Sequence, residues 1–100
     1  MTISSGENGL TLVLTARVPA SGIAQFQAYE AKVLPLLAEH GGTLERRLRS
    51  ADRTFEMHIL HFKTRSGFES FRNDPRRHAL SLLLSSSGAV FELTEVHAVE

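Results

Sequence analysis

Glu30 and Arg46 stand as charges inside apolar patterns. Turning successive residues by about 100°, as in a helix, puts Ile23, Phe26, Val33, Leu34 and Leu37 on one stripe, and Glu30 falls within it. Arg46 lies between Leu44 and Leu48 in a two-residue alternation, and His61 continues the side held by Phe55, Met57 and Ile59 in the next such run. A carboxylate, a guanidinium and an imidazole lining one cleft, with Tyr29 near its rim, can bind a small polar or aromatic ligand. They can also shift one another's proton affinities for acid–base work. Glu30, Arg46 and His61 are the catalytic candidates, and Tyr29 joins them as a ligand-binding candidate. The competing reading is structural: Glu30 and Arg46 pair as ions, or Arg46 lays its stem on apolar surface and keeps its head in water.

Other chemistries find less support. His58 and His61 are three residues apart on a strand and point to opposite faces, so they cannot chelate one ion together. No zinc-site spacing occurs, and a metal would need a constellation such as His58 with Glu56 and symmetry copies, so His58 reads instead as a partly exposed interface histidine. No metal and no cofactor is expected. Cysteine is absent, which removes disulfides, thiol nucleophiles and cysteine-ligated clusters. Eleven basic residues balance eleven acidic ones, so no long-range field favours nucleic acid or anionic lipid. Arg46, Arg47, Arg49 and Arg53 form one basic cluster, but the aromatics that RNA stacking requires are missing, and a charged strand edge is the ordinary explanation. Nucleophile elbows, phosphate loops and dinucleotide fingerprints are likewise absent.

The elements that must position these residues follow from the pattern. Leu10 to Val18 alternates as a strand closed by Pro19. A helix capped by Ser21 runs to about His40 and ends on Gly41-Gly42, with Pro35 kinking it or splitting it in two. Thr43 to Ser50 and Thr54 to Lys63 form a hairpin around Ala51-Asp52-Arg53. Ser66 to Glu69 matches a capping box, and Asp74-Pro75 marks a fresh start after a break near Asn73, with helix continuing to about Leu84. Ser85 to Gly88 reads as a loop and Ala89 to Val99 as a last strand.

This order predicts a ferredoxin-like α+β fold, βαββαβ, with a four-stranded antiparallel sheet and two helices on one face. In a chain of 100 residues it occupies 10–100 as one domain behind a flexible segment 1–9. The side carrying Leu10, Leu12, Leu14, Leu44, Leu48, Phe55, Met57, Ile59, Phe91 and Leu93 is assigned to the helices. Val13, Leu60, Phe62, Val90 and Val96 then lie opposite, among Thr11, Thr15, Arg47, Glu56, His58, Glu92 and Thr94. That second face is too apolar for a monomer, so a homodimer through the sheet face is expected. No signal peptide and no apolar run of about 20 residues is seen, and the expected location is the cytoplasm, with no membrane partner.

The run from Phe26 to Gly42, with Pro35 inside the helix, resembles the first helix of dimeric α+β barrel proteins. The likeness is to a bacterial family of unknown function and NIPSNAP-type domains, and more distantly to antibiotic biosynthesis monooxygenase-like proteins. His61 to Phe71 followed by Asp74-Pro75 resembles their strand–helix junction, with His61 standing where an acidic residue is frequent. The resemblance implies a homodimeric small-molecule-binding protein with a pocket between helices and sheet. A cofactor-independent monooxygenase or isomerase acting on a phenolic or polycyclic metabolite is the alternative, and a structural or regulatory module the third. Haem-degrading relatives would need a helix histidine such as His78 and typically a tryptophan, which this chain lacks.

Overall fold

The computed structural model describes residues 9–99, so the expected flexible segment lies outside them apart from Gly9. Strand β1 (Leu10–Arg17) leads through a short 3-10 turn into helix α1 (Ile23–Val33), which continues as a 3-10 stretch, Leu34–His40. Pro35, at the start of that stretch, is where the α-helical hydrogen bonding gives way, as its missing N–H requires. Gly41 closes the stretch with a left-handed φ of 75°. Strands β2 (Gly42–Arg49) and β3 (Phe55–Phe62) form the hairpin, whose turn is knitted by Asp52 accepting from Ser50 and Thr54. Helices α2 (Arg65–Arg72), α3 (Pro75–Ala79) and α4 (Ser81–Ser87) follow, and β4 (Val90–Val96) ends the sheet.

Three local expectations are corrected. Ser21 does not cap α1, because a 3-10 turn already occupies that position. Thr64 rather than Ser66 caps α2, its hydroxyl accepting from the Gly67 N–H at 2.9 Å. Ser85 to Ser87 are helical, their hydroxyls bonding back to carbonyls three residues earlier, and only Gly88 leaves the helix, at φ 73°. The restart at Asp74 does occur, with its carboxylate accepting from the Arg76 N–H at 2.8 Å.

The antiparallel sheet has the order β2-β3-β1-β4, the ferredoxin-like arrangement. Leu10, Leu12, Leu60 and Phe62 pack from the sheet against Tyr29, Val33, Leu36, Leu37 and Phe71 in one core cluster. Ala16, Val18 and Phe26 make a second. No helix among the described residues is long and apolar enough to cross a membrane.

The facing of two strands differs from expectation. On β3 the helix side holds Glu56, His58, Leu60 and Phe62, all buried, while Phe55, Met57, Ile59 and His61 lie on the outer face. On β2 the register jumps from Leu44 opposite Leu60 to Arg46 opposite Ile59, so Glu45 is a bulge. Beyond it Arg47 and Arg49 face the helices, and Arg46 and Leu48 face out.

Candidate functional site

Helix α1 and strand β3 bring three buried ionisable groups together. Glu30 lies on the buried stripe of α1; Glu56 and His58, two residues apart on β3, share the face beneath it. The His58 Nε2 is 2.8 Å from Glu56 Oε1 and 3.1 Å from Glu30 Oε2. From the edge strand, Arg47 donates to Glu30 at 2.7 Å and to Glu56 at 3.2 Å, and Arg49 donates to Glu56 at 2.6 Å. The bulge at Glu45 is what turns these two arginines inward.

Burial raises the proton affinity of Glu56, but the hydrogen bonds from His58 and Arg49 and the charge of Arg47 outweigh it and hold the carboxyl down to about 2. With Glu56 ionised, a ring nitrogen lying between two carboxylates carries its hydrogen and donates it. Burial works against a charged His58, yet its bonds to Glu30 and Glu56 prevail, so its proton affinity rises above the ordinary 6.5. The other ring nitrogen, Nδ1, is buried and has no hydrogen-bond partner. Nitrogen Nε2 is engaged by the two carboxylates, and Nδ1 remains unpaired.

The His58 residue borders a cavity. This cavity of about 250 Å³ is bounded by Leu14, Leu60, Phe91 and Leu93 from the sheet, Tyr29, Glu30 and Val33 from α1, Leu34 and Leu37 beyond it, and Phe68, Phe71 and Arg72 from α2. His58 and Arg77 complete the lining. Leu93 is 47% exposed, because the helices only partly cover the inner face of β4, where Phe91 meets Phe26 of α1. The walls are overwhelmingly apolar, with a few convergent polar groups, the usual make-up of a small-molecule site.

Glu30, Glu56 and His58 also offer three donor atoms within 4.8 Å of one another. Their carboxylates, however, are already neutralised by two guanidinium groups, which a metal would have to displace. The contacts to His58 have hydrogen-bond lengths, and the cluster suits proton handling better than metal ligation.

Of the residues expected in the site, Glu30 and Tyr29 line the cavity. Arg46 and His61 do not: both lie on the outer face, where the His61 Nδ1 is 3.1 Å from the Thr11 hydroxyl. Nor is His58 a partly exposed interface histidine, since it is 2% exposed on the inner face. Glu56 and His58, weighed only as a metal constellation, and Arg47 and Arg49, read as a charged strand edge, were not expected in this site, and Arg77 carried no expectation at all. The signal available was the Glu56-x-His58 spacing, which puts an acid and a base on one side of a strand. His78 is exposed on α3.

No family model and no curated protein matches the sequence. Solved structures do match. SnoaB, a cofactor-independent oxygenase from Streptomyces nogalater, superposes with a TM-score of 0.75 at 18% identity, over 93% of this chain and 95% of that one. A provisionally named antibiotic biosynthesis monooxygenase from Nitrosomonas europaea gives 0.77 at 12% identity, over 99% and 96%. Rv0793 from Mycobacterium tuberculosis gives 0.72 at 14%, over 92% and 96%. The chain has the fold of antibiotic biosynthesis monooxygenase-like proteins. This is the more distant of the likenesses read from the sequence; the NIPSNAP-type comparison rests on the sequence alone. At such identities the shared fold says nothing by itself about chemistry.

Proposed function

We propose that the protein is a small-molecule enzyme whose His58 exchanges a proton with a phenolic substrate to start a cofactor-independent oxygenation. One observation carries this: a buried imidazole braced through Nε2 by two carboxylates, with Nδ1 unpaired, in a ring that lines an apolar cavity. Above its raised pKa the ring is neutral and Nδ1 is a base; below it, Nδ1 carries the proton. A phenol ionised by Nδ1 becomes electron-rich enough to reduce dioxygen itself. One oxygen atom enters the ring, the other leaves as water, and the substrate is oxidised to a quinone without an outside reductant. The likeness to SnoaB, named as a cofactor-independent oxygenase, supports the reaction class.

The outer sheet face supports a homodimer. With β3 and the end of β2 facing as they do, that face carries Val13, Leu48, Phe55, Met57, Ile59, Val90 and Val96, more apolar surface than the sequence suggested. A second copy offering the same face covers it with one self-complementary contact. The same reading places the dimer in the cytoplasm, where a chain without cysteine loses no stabilising disulfide.

An oxygen electrode tests the chemistry. Naphthols with and without a ring carboxylate should give oxygen uptake with a stoichiometric quinone product, and His58→Gln should slow it by about a hundredfold or more. No uptake by the unaltered protein across that panel would remove the oxygenase reading.

A further inference from the structure

Resting on the acid–base reading of this cavity, we infer that its substrate is a compact aromatic acid whose ionised carboxylate is held by Arg77. Arg77 lines the cavity, and its Nε is buried with no hydrogen-bond partner. Its Nη1 donates to the Arg72 carbonyl at 3.0 Å, and its guanidinium lies 4.8 Å from the centre of the Phe71 ring, so one nitrogen and one face are fixed. Only a long contact of 3.4 Å, to the Tyr29 hydroxyl, engages Nη2. Nitrogens Nε and Nη2 are the parallel prongs of the guanidinium's side edge, the geometry that grips a carboxylate with two hydrogen bonds. Among the described residues no carboxylate pairs with Arg77, whereas Arg49 has one and Arg47 and Arg76 have two each. A cation in an apolar wall with a free N–H is costly unless something arrives to accept from it.

The rest of the substrate follows from the walls. Val33, Leu37, Leu60 and Phe68 ask for an apolar body, and a volume of about 250 Å³ sits just under the roughly 300 Å³ at which ordinary ligand sites begin. One or two fused rings fit that space better than larger polycycles do. Tyr29, beside Arg77, and Glu30, beside His58, are successive residues of α1. A single small ring system can therefore present its acid group to one and its reacting hydroxyl to the other.

Titration calorimetry on the intact protein with 2-naphthoate and its neutral isostere 2-naphthamide provides the test. The acid should bind about tenfold or more tightly than the amide, as loss of a charge-assisted pair implies. In Arg77→Gln the preference should fall to near parity while amide affinity stays within about twofold. Equal affinities, no binding of either compound at millimolar concentration, or a preference that survives in Arg77→Gln would each overturn the assignment. The acid–amide comparison on the unaltered protein tests the carboxylate preference even where that variant misfolds, and Arg72→Gln, at the other guanidinium of the lining, should leave the preference unchanged; its loss there would overturn the assignment to Arg77. A strong preference for the acid with no oxygen uptake by hydroxynaphthoates would remove the oxygenase reading alone and leave Arg77 as the carboxylate anchor.

Discussion

His58 and His40 are both bound through Nε2 to a buried carboxylate that also takes a guanidinium, yet they sit in different surroundings. His40 lies 2.8 Å from Asp74, and Asp74 accepts in addition from the Arg76 backbone and side chain while Arg76 reaches on to Glu39. That cluster ties the 3-10 stretch after α1 to the cap of α3, and its histidine packs edge-on against Phe71. His58 has the same kind of support but borders the cavity, with one ring nitrogen unpaired. The difference teaches that a histidine–carboxylate pair is ordinary architecture until its ring borders a cavity and its second nitrogen is left unpaired.

Activity should separate the two clusters most sharply. His58→Gln should lower oxygen uptake by about a hundredfold or more, whereas His40→Gln should leave it within about threefold. Equal losses would mean that neither ring is special and that both variants act through folding.

Stability gives the next contrast. Arg47→Met leaves two buried carboxylates short of a counter-charge and should cost about 3 kcal/mol in urea unfolding. Adding Glu56→Gln to it should recover part of that loss, since one of the stranded charges is then gone. Asp74→Ala removes a helix cap and its bonds to Arg76 and His40, and should lower the urea midpoint by less than Arg47→Met does.

The pH profile sharpens the comparison further. Because His58 binds its proton more tightly folded than unfolded, its stabilisation is complete below 6.5 and disappears as pH climbs through the raised value. Glu56 behaves oppositely, its contribution being present above 4.5 and vanishing as pH falls toward about 2. Stability should therefore peak between these limits, and the alkaline decline should flatten in His58→Gln but persist in His40→Gln. As a base, His58 also requires kcat/KM to rise with pH through a value above 6.5.

The sequence made the architecture legible because its punctuation is strong. Pro35, Gly41, the Ala51 to Arg53 turn and the Asp74-Pro75 restart all act locally, through backbone sterics and short-range hydrogen bonds. Glu30 was legible as well, since the helical stripe fixes its side, whereas Tyr29, expected near the rim, is buried in the core. Strand facing was harder. On β3 both sides carry large apolar residues, so alternation reveals the period without its phase, and Phe55, Met57 and Ile59 outweighed Leu60 and Phe62 in the wrong direction. On β2 no residue type announces a bulge at Glu45, and so Arg46 was read inward in place of Arg47. Arg77 emerged only when α3 folded beneath Tyr29, a long-range contact with no local mark.

That bulge has an unusual genetic corollary. Glu45 is a surplus residue in its ladder, so excising it would leave Arg46 still pointing away and Arg47 and Arg49 still directed at their acids. Inserting one more residue between Glu45 and Arg46 without a compensating kink would instead send Leu48 toward the acids and banish both arginines to the opposite surface. Along this edge, survival of the charge network depends on how many residues precede it, and a shortened chain should outlast a lengthened one.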